Sequence, residues 1–156
     1  MPKDQVEILI VDDDANDIRL TRRALEEAQI CNNVEVVRDG QEALDFLFCQ
    51  GAFQNRDQTC HPKLVLLDLK LPKVNGLQVL REIRTSPSTR TLPVTVMTSS
   101  RREEDLITSY GLGVNSYIQK PVDFDQFRDA VKKVGYYWLL VNHPPIDSTL
   151  SKTLPG

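Results

Sequence analysis

Four short apolar runs, EILIV (7–11), VEVV (34–37), KLVLL (63–67) and VTVM (94–97), limit most sharply what this chain can become. Each has the length and β-branched content of a strand, and a weaker fifth run, SYIQ (116–119), follows. The segments between them carry a helical period. Asp14 reads as an N-cap with Asp17 placed to meet the positive end of the helix, after which Ile18, Thr21, Leu25 and Ala28 recur on one face. Gly40 to Gln50 brings Ala43, Leu44, Leu47 and Phe48 together, Gly76 to Arg84 does the same for Leu77, Leu80 and Ile83, and residues 102–110 for Leu106, Ile107 and Tyr110. The last helix, from about Asp123 to Trp138, opens on an Asp123–Gln126 capping box and carries Phe124, Phe127, Val131 and Val134 as one stripe. Strand and helix alternate five times, and the runs are apolar throughout. Strands of that kind are covered by helices on both faces, so the expected fold is a doubly wound α/β sandwich with a parallel sheet.

A chain of 156 residues fits one domain. With 40% apolar and 26% charged residues and a formal net charge of −3, it favours neither a nucleic acid nor a membrane partner. It has no 18-residue apolar stretch and no basic start followed by an apolar segment, so a cytoplasmic home is expected. Cys31, Cys49 and Cys60 fit neither a disulfide framework nor a zinc site and are expected as packing thiols, with His61 a loop residue. Residues 51–62 make a polar link longer than the usual connection, and residues 139–156, with Pro144, Pro145 and Pro155, read as a tail after a domain spanning 6–138.

In an open parallel sheet, ligands gather outside the carboxyl ends of the strands, where helices begin and backbone amides are free. The polar interruptions of this sequence fall there. The first strand ends in Asp12 and Asp13, the third in Asp68, the fourth in Thr98, Ser99 and Ser100, and the fifth in Lys120 followed by Pro121. Converging carboxylates repel, since two unit charges about 4 Å apart cost about 4 kcal/mol at an effective dielectric of about 20. A hard divalent cation resolves the conflict, and Mg²⁺ suits a site with few protein ligands and room for phosphate oxygens. Lys120 adds a compact positive charge for a phosphoryl oxygen, and the Thr98 hydroxyl is a donor for another. Such a set lets Asp68 act as nucleophile toward a phosphoryl donor and form an acyl phosphate.

The ordered set VDDD (11–14), LLDLKLPKVNG (66–76), VMTSS (96–100) and YIQKP (117–121) resembles the receiver domains of two-component response regulators, the chemotaxis-type family. The resemblance spans about residues 6 to 138. It implies the flavodoxin-like (βα)5 sheet of strand order 2-1-3-4-5, with Asp13 as a direct Mg²⁺ ligand, Asp12 assisting through water, and Asp68 both ligand and phosphoacceptor. The backbone carbonyl of Lys70 completes the implied ligands. Thr98 is then the switch hydroxyl, Lys120 the phosphoryl-binding lysine, Lys120–Pro121 a cis bond, and Tyr117 the aromatic whose rotamer follows Thr98. The DLKLPK spelling, the long 51–62 link, the SYGLGVNSY stretch and the aromatic Tyr136-Tyr137-Trp138 are similar to the single-domain response regulators paired with cyanobacterial and bacterial phytochromes. That subfamily implies a sensor histidine kinase, a phytochrome, as phosphodonor. It also implies a homodimer through the fourth helix, fifth strand and fifth helix, with Leu139, Leu140 and Val141 of the extension. The family often has Asn at the positions of Asp14 and Lys70.

Other classes fit less well. A Mg²⁺-dependent phosphohydrolase of the haloacid-dehalogenase type needs a second acid two residues after its nucleophile, where this chain has Lys70. A flavin or nucleotide carrier would meet the acidic DDDAND turn, which repels phosphate. The remaining alternative is a receiver-like interaction module working without phosphorylation, usually marked by a missing acid or lysine. The expected protein is therefore a signalling switch, not an enzyme acting on an external substrate.

Overall fold

Strands that are apolar along their whole length need cover on both faces, and the chain supplies it by returning through a helix after each strand. The computed structural model describes residues 6–27, 33–58, 60–120 and 123–135. Within them β1 (Ile8–Val11), β2 (Val34–Val37), β3 (Leu64–Asp68), β4 (Val94–Thr98) and β5 (Ser116–Gln119) alternate with α1 (Ala15–Glu27), α2 (Gly40–Leu47), α3 (Gly76–Thr85), α4 (Arg101–Ser109) and α5 (Phe124–Gly135). The strands form one parallel sheet in the order β2-β1-β3-β4-β5, as expected.

Alternate residues of each strand feed two cores. Leu9, Val11, Val65, Leu67 and Val96 meet Phe46, Leu47, Val79, Leu80, Ile83 and Ile107 from α2, α3 and α4. On the other face Ile8, Ile10, Leu64, Leu66, Met97 and Ile118 meet Ala24 and Leu25 of α1. The second layer is closed by α1 against α5, where the Arg23 guanidinium lies 4.9 Å from the Phe124 ring centroid and Arg128 pairs with Glu27 at 3.6 Å. Burying a large aliphatic side chain stabilises by about 1.5–3 kcal/mol, so these layers hold the sheet.

Two helix starts clasp the loop after β3. A Cβ on Gly40 would lie 1.6 Å from the Val74 carbonyl oxygen, and one on Gly76 would lie 2.4 Å from Leu69 Cα and 2.6 Å from the Asp68 carbonyl oxygen. Asp39 and Asn75 cap the same helices, accepting from the amides of Glu42 and Gln78 at 2.7 and 2.9 Å. The loop that follows Asp68 is thereby held by α3 at its Asp68 end and by α2 at Val74.

Local extents differ from the sequence reading in three places. The second helix stops at Leu47 rather than Gln50, because the chain turns through Cys49, whose φ is 54°. The 51–62 link is not merely polar: it contains a 3-10 turn, Gly51–Phe53, and is tied down by Arg56. That guanidinium donates to the Phe46 and Cys60 carbonyls and lies 3.7 Å from the Phe46 ring centroid. On α4 only Ile107 is buried, whereas Leu106 and Tyr110 are 41% and 55% exposed. Cys49 is buried, as a packing thiol should be. Ala28, Cys31, Pro121, residues 136–138 and the 139–156 extension lie outside the described residues, as do the side chains of Gln126, Phe127, Val131 and Val134.

Candidate functional site

Because β1 and β3 are neighbours in register, Val11 beside Leu67, the residues that follow, Asp12 and Asp68, emerge side by side at the carboxyl edge. Both are buried, at 0% and 4% exposure. Each carboxylate is fixed by the backbone amide two residues on: Asp14 N donates to Asp12 Oδ1 and Lys70 N to Asp68 Oδ1, both at 3.0 Å. The other oxygen of each approaches Lys120 Nζ, which follows β5 and is held by its own amide on the Thr98 carbonyl at 2.8 Å. The ammonium lies 2.8 Å from Asp68 Oδ2, 3.6 Å from Asp12 Oδ2 and 2.6 Å from Asp17 Oδ2.

Asp17 completes this cluster. It enters from the first turn of α1, whose start is capped by Asp14 Oδ1 accepting from the amides of Asn16 and Asp17 at 2.8 and 3.1 Å. Oxygens of Asp12, Asp17 and Asp68 lie within 4.8 Å of one another. Three carboxylates face one ammonium, so the centre keeps a surplus of negative charge. Burial pushes the Asp12 carboxyl up to about 7; the Asp14 amide and Lys120 act against that rise, and the charges of Asp68 and Asp17 add to it. Burial lowers the Lys120 ammonium's affinity for its proton, but hydrogen bonds to Asp17 and Asp68 and the Asp12 charge outweigh it and raise the pKa. Lys120 is therefore a fixed cation. Asp12 Oδ2 is buried and, among the described residues, accepts no hydrogen bond. A hard divalent cation fits this chemistry: oxygen donors only, surplus negative charge, and a buried carboxylate oxygen lacking a donor.

Of the residues expected at the site, Asp12, Asp68 and Lys120 come together. Asp13 is exposed and stands outside the acidic cluster, where Asp17 takes the third place. Thr98 closes the same strand edge and is 2% exposed. Its hydroxyl is engaged with the Glu103 carboxylate and lies 3.1 Å from the Ser100 carbonyl. Tyr117 pairs in register with Val96 and is half-buried against the α2–α3–α4 core, and burial pushes its phenol pKa up. Lys70 is exposed and lines, with Leu69, Leu71, Leu77, Glu103 and Leu106, a cleft of about 330 Å³ beside the site. Sequence reasoning missed two participants. Asp17 had already been explained as a helix-start acid, and Glu103 was not singled out, although it stands three residues after Ser100 in capping-box spacing.

A buried, amide-fixed carboxylate beside a fixed lysine and two further acids, at the carboxyl edge of a 2-1-3-4-5 sheet, defines a chemotaxis-type receiver. Residues 8–132 match the family model of the response regulator receiver domain, and the chain belongs to that family. Among curated relatives it is similar to the response regulator Rcp1 of Synechocystis sp., at 39% identity over 132 residues, 85% of this chain and 88% of that one. Among solved structures, the bacteriophytochrome response regulator RtBRR is 48% identical with a TM-score of 0.76, covering 94% of this chain and 87% of that chain. The phosphorylated cyanobacterial phytochrome response regulator RcpA is 38% identical with a TM-score of 0.77, covering 90% and 99%. The Mn²⁺-bound form of Rcp1 is 37% identical with a TM-score of 0.76, covering 90% and 99%.

Proposed function

We propose that this chain is an aspartyl-phosphate switch that takes a phosphoryl group on Asp68 from a phytochrome-type sensor histidine kinase and signals through its own surface. The observation that carries the reading is the placement of Asp68: buried, its Oδ1 held by the Lys70 amide and its Oδ2 2.8 Å from Lys120 Nζ. A fixed carboxylate needs little reorganisation to attack phosphorus in line with a leaving imidazole. As the O–P bond forms and the P–N bond breaks, Lys120 passes from the carboxylate to a phosphoryl oxygen, and Asp17, at 2.6 Å, keeps it oriented. Mg²⁺, when bound, neutralises charge on the phosphoryl oxygens. Asp12, Asp13, Asp68 and the Lys70 carbonyl would hold it, Asp13 turning in from its exposed position beside the cluster. Thr98 then gives its hydroxyl to the phosphoryl group and Tyr117 follows, a population shift read on the α4–β5–α5 face.

Residues 6–138 are the receiver unit in this reading and 139–156 an extension that joins the dimer contact. Among the described residues no helix is long and apolar enough to cross a membrane, and the reading places the protein in the cytoplasm beside its kinase. Similarity to phytochrome response regulators, at 48% and 38% identity, supports the choice of kinase. Transfer from a purified, autophosphorylated bacteriophytochrome kinase tests it: label should move to the wild type within minutes and not to Asp68→Asn. Label that stays on the kinase with both proteins would refute the pairing.

A further inference from the structure

We propose that Ser100 and Glu103 form a capping box with two closed forms, which lets Thr98 leave its resting place without stripping the start of α4 of its hydrogen bonds. The inference rests on the phosphoacceptor reading above, in which the Thr98 hydroxyl turns toward the phosphoryl group. Ser100 is the N-cap of α4, its Oγ accepting from Arg102 N at 3.1 Å. In an ordinary box the glutamate three residues on accepts from the amide of the N-cap itself. Here Thr98 stands between them. The Ser100 amide donates to Thr98 Oγ1 at 3.2 Å, and the Thr98 hydroxyl donates onward to the Glu103 carboxylate.

When the hydroxyl turns away, the Ser100 amide and the Glu103 carboxylate lose their partner in the same movement. Their three-residue spacing lets them bond each other directly, so one closed box replaces another. The Thr98 backbone need not follow, since its carbonyl is held by the Lys120 amide at 2.8 Å. Glu103 is thus a positioning residue: it accepts from Thr98 in one state and replaces Thr98 in the other. Without it, departure of the hydroxyl would leave a helix-start amide unbonded.

The test is the affinity of the full chain for beryllofluoride, a phosphoryl analogue, at saturating Mg²⁺, read by fluorine NMR. Glu103→Ala leaves the resting Thr98 hydroxyl the Ser100 carbonyl at 3.1 Å but leaves the Ser100 amide without a partner once the hydroxyl has turned, so binding should weaken about two- to thirty-fold, the range that losing one helix-cap bond produces. Glu103→Gln keeps an acceptor oxygen and should bind close to wild type. On a Thr98→Ala background Glu103 can close on Ser100 in both states, so adding Glu103→Ala should change the affinity little. Binding by Glu103→Ala as tight as wild type, or an equal loss on the Thr98→Ala background, would overturn the role given to Glu103. A wild type that binds no beryllofluoride would instead overturn the phosphoacceptor reading beneath it.

Discussion

Asp12 bears the electrostatic conflict of the site. Its carboxyl is fully buried, one oxygen accepts no hydrogen bond among the described residues, and burial raises its pKa from 3.8 to about 7. Between those values the folded protein keeps a proton that the unfolded chain releases. Stability of the metal-free protein is therefore highest below about pH 4 with respect to this group and is lost as pH rises through about 7. Asp12→Asn should remove that slope and stabilise the metal-free protein at pH 8 by about 1–3 kcal/mol, the scale of a buried unsatisfied polar group. The same change should weaken Mg²⁺ binding. Urea unfolding at several pH values, with and without Mg²⁺, checks both, and an unchanged slope would contradict this account of Asp12. The acids of the site were legible in the sequence to different degrees. Asp12 and Asp68 interrupt apolar runs, so burial could be inferred from their neighbours. Asp17 does not: a helix-start position explains it completely, and only the folded chain, which sets the first turn of α1 beside Lys120, brings the two together.

Among the elements, the loop between β3 and α3 connects packing to chemistry most directly. It carries Asp68 at one end and is clasped by Gly40 and Gly76, neither of which has room for a Cβ. Gly40→Ala sets a methyl 1.6 Å from the Val74 carbonyl oxygen, so the loop or the start of α2 must move. We expect a loss of about 1–3 kcal/mol, typical of overpacking, in chemical denaturation. Gly76→Ala should add a functional loss, because its methyl meets the Asp68 carbonyl and Leu69 directly. Wild-type stability in Gly40→Ala would contradict the clasp. Strands and helix order were readable because burial on both faces leaves uninterrupted apolar runs. The helix ends were less so. A period cannot show that the chain turns at Cys49 with positive φ, or that Arg56 in the following link satisfies the carbonyls of Phe46 and Cys60. On α4 the period grouped Leu106 and Tyr110 with Ile107, yet this short helix meets the core through Ile107 alone, leaving Leu106 at the cleft and Tyr110 beside Arg81.

For the molecule as a whole, the 2-1-3-4-5 order decides where function sits. Placing β1 beside β3 sets two acid-bearing strand ends together, and β4 and β5 follow in sequence with the hydroxyl and the lysine. The fold was legible because alternation and burial are properties of long segments. The gathering of Asp17 with Asp12 and Asp68 around Lys120 was less legible because it depends on where single side chains turn. A dimer through the α4–β5–α5 face and residues 139–156 is the assembly that the proposed function expects. Multi-angle light scattering at micromolar concentration should give twice the chain mass, and a monomer with or without phosphodonor would contradict that assembly.

The central claim is that Asp68 accepts a phosphoryl group with the help of a divalent cation. Intact mass after incubation with acetyl phosphate tests it most directly, comparing wild type with Asp68→Asn, each with Mg²⁺ and with the metal chelated. The account predicts one added phosphoryl group in the wild type with Mg²⁺ and none in the other three samples. An adduct that persists in Asp68→Asn, or a wild type that gains no mass with Mg²⁺ present, would contradict it.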